Sequence, residues 1–407
     1  MLDRVLAFLE NQRDVVIDLQ RRLTAVPAIG PDNGGPGERD RVDCLKTLLA
    51  GMGLPEPTEI NVPDARVPCG HRPNMAVVIP GRDTSRTFWV ITHLDIVPPG
   101  DLAQWDADPF VLRVEGDRLI GRGVEDNQQS MVSAILVAKA LVAEHLTPPV
   151  NYGLLFVADE ETGSTYGLDY VADHHQGLFT PDDLFLVPDF GNETSELVEV
   201  AEKSMLWMKI TVSGRQCHAS TPDAGINSLA AAALFILKIP RLSERFGAVD
   251  PLFEPPYCTF VPTKKEANVE SINVLPGRDV FYVDSRLLPQ YPVDDVIEAI
   301  RDLGREVEKA CGVTISYEAV QKEQATPPTD AATPVVRRVI EGVRAVYGGN
   351  PRPTGVGGGT VAAYLRRRGY PTAVWSTLNH NAHQPNEFSS IANTIGDAKV
   401  MARVLLG

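Results

Sequence analysis

The chain has 407 residues, 43% of them hydrophobic and 22% charged, an ordinary globular composition with room for two domains and their cores. Its formal net charge is −15 and no lysine- or arginine-rich run stands out, so nucleic acid is not an expected partner. No apolar run approaches the ~18–20 residues a membrane span needs, and the first ten residues lack the basic start and apolar middle of a secretory signal.

Along the chain, Val15, Val16, Leu19 and Leu23 recur at helical spacing and predict a helix over Asn11–Ala25, stopped by Pro27. A glycine- and proline-rich loop follows over residues 30–37, then a helix over Arg39–Met52. Asn74–Pro80 and Thr87–Thr92 read as buried strands, with His93 and Asp95 just past the second. Asn127–Glu144 reads as one long helix with Asp126 at its entrance. Asn151–Ala158 and Leu184–Val187 read as further strands, and the first is apolar almost throughout, as a strand covered on both faces would be. This alternation predicts an α/β fold, a mostly parallel sheet with helices on both faces.

The pattern changes near residue 203. Strands Ser204–Ser213, Asp279–Arg286 and Val313–Ala319 alternate with helices Asn227–Lys238 and Asp294–Cys311. This is the order of a smaller two-layer α/β domain inserted into the larger one. The expected division is residues 1–202 and 320–407 against an insert of residues 203–319. Helix Thr333–Tyr347, strand Thr372–Ser376 and helix Ile391–Leu405 complete the larger part. The five cysteines (Cys44, Cys69, Cys217, Cys258, Cys311) include no CxxC pair and read as reduced cytosolic thiols.

Histidines and carboxylates follow several of the apolar runs, at strand ends where an α/β sheet gathers its chemistry. His93 and Asp95 are two apart, so in extended chain both side chains point one way. His93 is a metal ligand and Asp95 its orienting partner, or the pair is a satisfied core histidine with its acid. Asp126 after Gly121-Arg-Gly123 is a helix N-cap or a carboxylate shared by two metals. Asp159-Glu160-Glu161 directly off a strand would repel one another, and a cation removes that cost. One glutamate would then ligate metal, and its neighbour would be general base on the bound water. Asp189 supplies a further carboxylate. His383 and His380 are rival last ligands. Two histidines and several carboxylates suit two borderline divalent ions such as zinc.

In these motifs and their order the chain resembles the M20 metallopeptidases, a group including acetylornithine deacetylase, succinyl-diaminopimelate desuccinylase, aminoacylase, carboxypeptidase G and related dipeptidases. The carriers are His93-Leu-Asp95, Trp105 with Asp108-Pro-Phe110, Gly121-Arg-Gly-Val-Glu-Asp126, Asp159-Glu160-Glu161-Thr-Gly-Ser164, Asp189, Gly214-Arg-Gln-Cys-His218-Ala-Ser-Thr-Pro222 and His383. The resemblance implies two zinc ions, with cobalt or manganese as substitutes. It assigns His93 and Asp189 to one ion, Glu161 and His383 to the other, and Asp126 to both. Glu160 becomes the base and Asp95 tunes His93. The inserted domain becomes a lid and dimerisation domain, and its His218 steadies the oxyanion from the partner subunit of a homodimer. Asn273 and Arg286 fall at the substrate. Arg286 either forks onto a substrate carboxylate or pairs with Asp284. Gly358 and Thr360, in Gly357-Gly-Gly-Thr360, offer backbone N–H groups there; no lysine follows to make a phosphate loop.

Two departures stand out. Many relatives follow the bridging aspartate with a nearby Lys-Gly, where this chain has Asn127-Gln128-Gln129. The desuccinylases often continue the glycine run with Ser-Asp, where this chain has Thr360-Val-Ala-Ala. The reaction the resemblance implies is hydrolysis of a small N-acyl amino acid or dipeptide with a free carboxylate: a metal-bound hydroxide attacks and Glu160 handles the proton. Alternatives are dipeptidase or aminopeptidase specificity on the same site, and a non-catalytic metal- or peptide-binding module, against which an intact Glu160 argues.

Overall fold

A computed structural model describes residues 1–407 in two compact units. The first comprises Met1–Val200, Pro328–Thr354 and Thr360–Gly407; the second comprises Ala201–Pro327 and Gly355–Gly359.

The first unit is built on an eight-stranded sheet in the order Thr58–Pro63, His71–Ile79, Val150–Val157, Asp83–His93, Leu184–Gly191, Thr372–Ser376, Leu197–Glu202, Arg352–Val356. The four strands from Val150–Val157 to Thr372–Ser376 run parallel. Antiparallel neighbours flank them on either side. The parallel centre matters for chemistry, because the C-terminal ends of its strands open on one edge. His93 ends its strand opposite Val157, and Asp189 lies within Leu184–Gly191, near its end.

Alternating residues feed opposite faces of the sheet. Trp89, Ile91, Leu155, Val157, Phe185 and Val374 pack with helices Leu168–His174 and Ala362–Arg367. Helix Ser130–Ala143 packs against the strands and against helix Ile391–Leu406. Its sequence is apolar on all sides, as burial all round requires. Trp89 is 1% exposed, donates its indole N–H to Asp183 at 3.1 Å and meets Phe179 edge-on at 5.7 Å.

Three local expectations shift. The helix expected from Asn127 begins only at Ser130. Residues Val124–Gln129 form an irregular turn: Asp126 (φ −112°, ψ 94°) and Asn127 (φ −124°, ψ 21°) lie off helical geometry, and the peptide between them is cis. The apolar spacing behind that expectation starts at Met131, so residues 127–130 carried no periodic signal. The edge strands Thr58–Pro63 and Arg352–Val356 and the internal strand Leu197–Glu202 escaped the sequence reading, as did Arg113–Glu115, Arg118–Ile120 and Phe388–Ser390, which make a separate small sheet. Short strands give few apolar repeats, and Glu199 and Glu202 break the run in Leu197–Glu202.

The second unit is a four-stranded antiparallel sheet in the order Thr259–Lys265, Arg278–Leu287, Ser204–Ser213, Thr314–Glu323. Helices Ser228–Lys238 and Val293–Cys311 pack on it, with Phe235 edge-on to Phe281 at 5.6 Å. Strand Thr259–Lys265 was not expected because Pro262 interrupts it; the strand is at the sheet edge and its register slips beside that proline. Strand Thr314–Glu323 continues past the expected Ala319 through a bulge between Ala319 and Gln321. The chain therefore leaves this unit at Pro327 and not at residue 319, and residues Gly355–Gly359 group with it.

Gly153 lies beside Trp89 on the neighbouring strand, and a Cβ there would come within 2.3 Å of the indole ring. Gly153→Ala is expected to destabilise the first unit by ~1–3 kcal/mol through overpacking. Thermal melting checks this, and an unchanged melting temperature would show that Trp89 has room to move.

Candidate metal centre

The strand Asp83–His93 delivers His93 fully buried to the sheet edge. Its Nε2 faces Asp126 Oδ1 at 2.7 Å and Asp189 Oδ1 at 3.6 Å. His383 Nε2 faces the other oxygen of Asp126 at 3.2 Å and Glu161 Oε2 at 3.1 Å. Two triads result, His93–Asp126–Asp189 and Asp126–Glu161–His383, each with its ligand atoms within 4.8 Å of one another. Asp126 belongs to both, with one oxygen toward each histidine. His380, the rival, enters neither.

The donors present fit a pair of divalent cations. Two imidazoles and three carboxylates are the ligand types that borderline divalent ions take. Glu161 Oε1 is buried and has no hydrogen-bond partner, a cost that a cation would remove. His93 and Asp189 would hold one ion, Glu161 and His383 the other, and Asp126 would touch both.

The turn carrying the glutamates is set from both ends. After strand Val150–Val157 the chain reverses at Asp159, whose φ is 64°. The backbone N–H groups of Glu160 and Glu161 then donate to the Asp95 carboxylate at 3.0 and 3.1 Å. This revises the role expected for Asp95. His93 Nδ1 is closest to the Asp95 carbonyl oxygen, at 2.9 Å, while the nearer carboxylate oxygen is 3.6 Å away. The backbone of Asp95 orients the imidazole, and its side chain anchors the glutamate turn.

Asp159 turns away from the centre. Its carboxylate accepts from Thr162 and the Tyr166 N–H and lies 3.4 Å from Arg72, so a fixed guanidinium and not a metal relieves that member of the acidic run. Arg72 is itself buried against Glu38. Glu160 belongs to neither triad. Although part of its side chain is exposed, burial of the carboxyl and the charge of Asp189 lift it well above the usual carboxylate range.

Two buried acids that the sequence reading left without a role hold the loops. Glu387 accepts from Arg122 at 2.7 Å and from the N–H groups of Gly123, Glu125 and Asp126 at 3.0, 2.9 and 3.2 Å. Gly123 takes φ 83°, and a Cβ there would strike Ile96. Glu125 accepts from the N–H groups of Asn379 and Asn381. Asn127 donates to Asp189 and to the Pro188 carbonyl. Both glutamates stood inside motifs that sequence could flag, but their partners lie more than 250 residues away along the chain.

In the second unit, His218 and Asn273 share a short ribbon in which Cys217–His218 pairs with Val274–Leu275, and the Ala219 N–H donates to the Asn273 carbonyl at 2.8 Å. The Ser220 N–H donates to His218 Nδ1 at 3.1 Å and the Ser220 hydroxyl lies 2.7 Å from it. Nδ1 is therefore an acceptor, and the ring proton sits on Nε2. The side chain of Arg286 is already engaged: its Nε and Nη2 fork onto Asp284 at 2.8 and 3.0 Å, and Nη1 donates to the Gly357 carbonyl at 2.7 Å. Of the two readings offered for Arg286, these contacts make the Asp284 pair. Gly358 has open space around it, and Thr360 Oγ1 accepts the Ala362 N–H at 3.3 Å, at the start of helix Ala362–Arg367.

Burial opposes a charge on His93, but the carboxylates of Asp189, Asp126 and Asp95 around it outweigh that and hold the metal-free imidazole well above its ordinary value. Hydrogen bonds to Asp126 and Glu161 lift His383 to about 10. Near pH 7 both rings thus carry protons that metal must displace. Zinc binding to the apoprotein is expected to release protons and to tighten as pH rises from 6.5 toward 10, the range between the ordinary and lifted values of His383. Calorimetric titration in two buffers of different ionisation enthalpy measures the release; affinity independent of pH would contradict it.

A family model described as Peptidase family M20/M25/M40 matches residues 89–407. An uncharacterized metallohydrolase of Methanococcus maripaludis is 35% identical, covering 96% of this chain and 99% of its own. A succinyl-diaminopimelate desuccinylase of Wolinella succinogenes is 26% identical over 96% and 98% of the two chains. Among solved structures, human carnosine dipeptidase 1 superposes with a TM-score of 0.74 at 17% identity, over 100% of this chain and 98% of that one, which establishes the shared fold. With most of its length matched by the family model and a full-length relative at 35% identity, the chain belongs to Peptidase family M20/M25/M40 and is a metallohydrolase acting on amide bonds.

Proposed function

We propose that the chain cleaves the amide bond of a small N-acyl amino acid or dipeptide, with two divalent ions, zinc foremost, held by His93, Asp126, Glu161, Asp189 and His383. The observation that supports this most directly is the pair of triads sharing Asp126, with Glu160 beside them and outside both. When bound, the ions supply Lewis acidity, polarising the scissile carbonyl and making a water in the site more acidic. Glu160 takes that water's proton and returns it to the leaving amine.

Asp95 keeps Glu160 in place through its N–H, so base and ligand share one anchor. His218, with its proton on Nε2, is a ready donor to a developing oxyanion. We assign it that part, delivered by the partner subunit of a homodimer. The outward side chains Leu229 and Leu237 of helix Ser228–Lys238, 40% and 78% exposed, support a second copy docking on that unit. Asn273, next to His218 in the same ribbon, is placed at the substrate, with Arg286 holding the Gly357-Gly-Gly segment rather than the substrate itself. No helix is long and apolar enough to cross a membrane. The five unpaired cysteines support a reducing, cytosolic setting.

Glu160→Gln removes the base and no metal ligand. Turnover is expected to fall by at least ~100-fold, the usual scale of a lost general base, with metal content unchanged. Full activity in that variant would overturn the assignment. A panel of N-acetyl, N-succinyl and dipeptide substrates, assayed with zinc, cobalt and manganese, reads the substrate class. Absence of chelator-sensitive hydrolysis across the whole panel would count against catalysis on this substrate class.

A further inference from the structure

The two loops that carry the shared aspartate and the last histidine hold each other through a reciprocal pair of buried carboxylates. Glu387 belongs to the histidine loop, and its carboxylate lies beneath the other loop, accepting four donors from Arg122, Gly123, Glu125 and Asp126. Glu125 belongs to the aspartate loop and accepts the N–H groups of Asn379 and Asn381 from the histidine loop. Both side chains are buried, each residue 1% exposed. Neither belongs to a ligand triad.

The clasp is closed at both sides. Strand Phe388–Ser390 pairs with Arg118–Ile120, so the loops spring from adjacent strands. The Gly121 N–H donates to the Glu387 carbonyl at 3.0 Å. Asn381 exchanges two hydrogen bonds with the backbone of Phe388, closing the loop on which His383 stands. The Arg122 guanidinium, paired with Glu387, lies 5.2 Å from the Trp105 ring. His383 itself is half exposed on a left-handed backbone of φ 65°, and its ring is held by Asp126 and Glu161. His93, in contrast, ends a central strand and is buried.

We propose that Glu125 and Glu387 act as one positioning unit that sets Asp126 against His383 and so determines how tightly the ion of the Asp126–Glu161–His383 triad is held. The proposal rests on the ligand assignment above. The same exchange of bonds means that removing either carboxylate frees both loops, so the two losses should not add.

The test is a competition titration of the full-length apoprotein with zinc against a chromophoric chelator, resolving two affinities. The parent is compared with Glu125→Gln, Glu387→Gln and the double variant. Each single change should weaken the looser ion, that of the half-exposed His383, by ~10–100-fold, the usual effect of losing a group that holds a ligand in place, and weaken the tighter ion by clearly less although Asp126 is common to both. The double variant should be no worse than the weaker single. If Glu387→Gln does not fold, Glu125→Gln carries the same readout with fewer bonds lost. Wild-type affinities in a folded single variant would overturn the proposal, and so would a double loss equal to the product of the singles. Equal weakening of both ions together with a lowered metal-free melting temperature would mean a general loosening, and would also overturn it. A parent chain that binds fewer than two ions would instead sink the ligand assignment.

Discussion

Four carboxylates, those of Asp126, Glu160, Glu161 and Asp189, share one small region at the edge of a parallel sheet, and their mutual repulsion is the constraint around which the first unit is organised. The imidazoles of His93 and His383 take up part of that charge in the metal-free protein by holding protons. Burial first, and the charge of Asp189 after it, still lift the Glu160 carboxyl, and Glu161 Oε1 stays buried without a hydrogen-bond partner. A pair of divalent ions removes the same repulsion with more charge in less space.

Keeping such a cluster in register requires rigid supports that are not themselves ligands. Each support is a buried acid meeting backbone N–H groups. Asp95 holds the Glu160–Glu161 turn, Glu387 holds Gly123 to Asp126, and Glu125 holds Asn379 and Asn381. Buried acids are costly unless donors surround them, and here the backbone supplies the donors. For Glu387 the balance is narrow: burial and the charge of Asp126 push its carboxyl to about 7 despite Arg122. The acids that chelate and the acids that position are thus interleaved along the chain but face different ways.

The loop from Gly121 to Ser130 shows where a local sequence reading stops. For Asp126 the sequence offered a helix cap beside the reading as a shared metal ligand, because a long apolar helix follows. The helix starts four residues later, and the aspartate stands on an irregular turn that the distant Glu387 holds from below. Arg286 likewise had two readings of equal local merit, and only the observed pairing with Asp284 and Gly357 separates them. Asp159, one of three neighbouring acids of the same kind, is distinguished by Arg72, which is 87 residues away.

The residue types and their placement after apolar strands were enough to point to candidate histidines and carboxylates, to the α/β class and to an inserted unit; the resemblance to a family sorted the candidates into roles. Those features repeat with short periods or sit beside strand ends, so they are written locally. The local sequence left His380 and His383 as rivals until the family resemblance chose between them, while which atom of Asp95 orients His93, and that Glu125 and Glu387 support rather than chelate, were decided by tertiary structure alone. These choices depend on groups brought together across as many as 265 positions, and the free energy that selects among them comes from burial and from donors contributed by the rest of the fold.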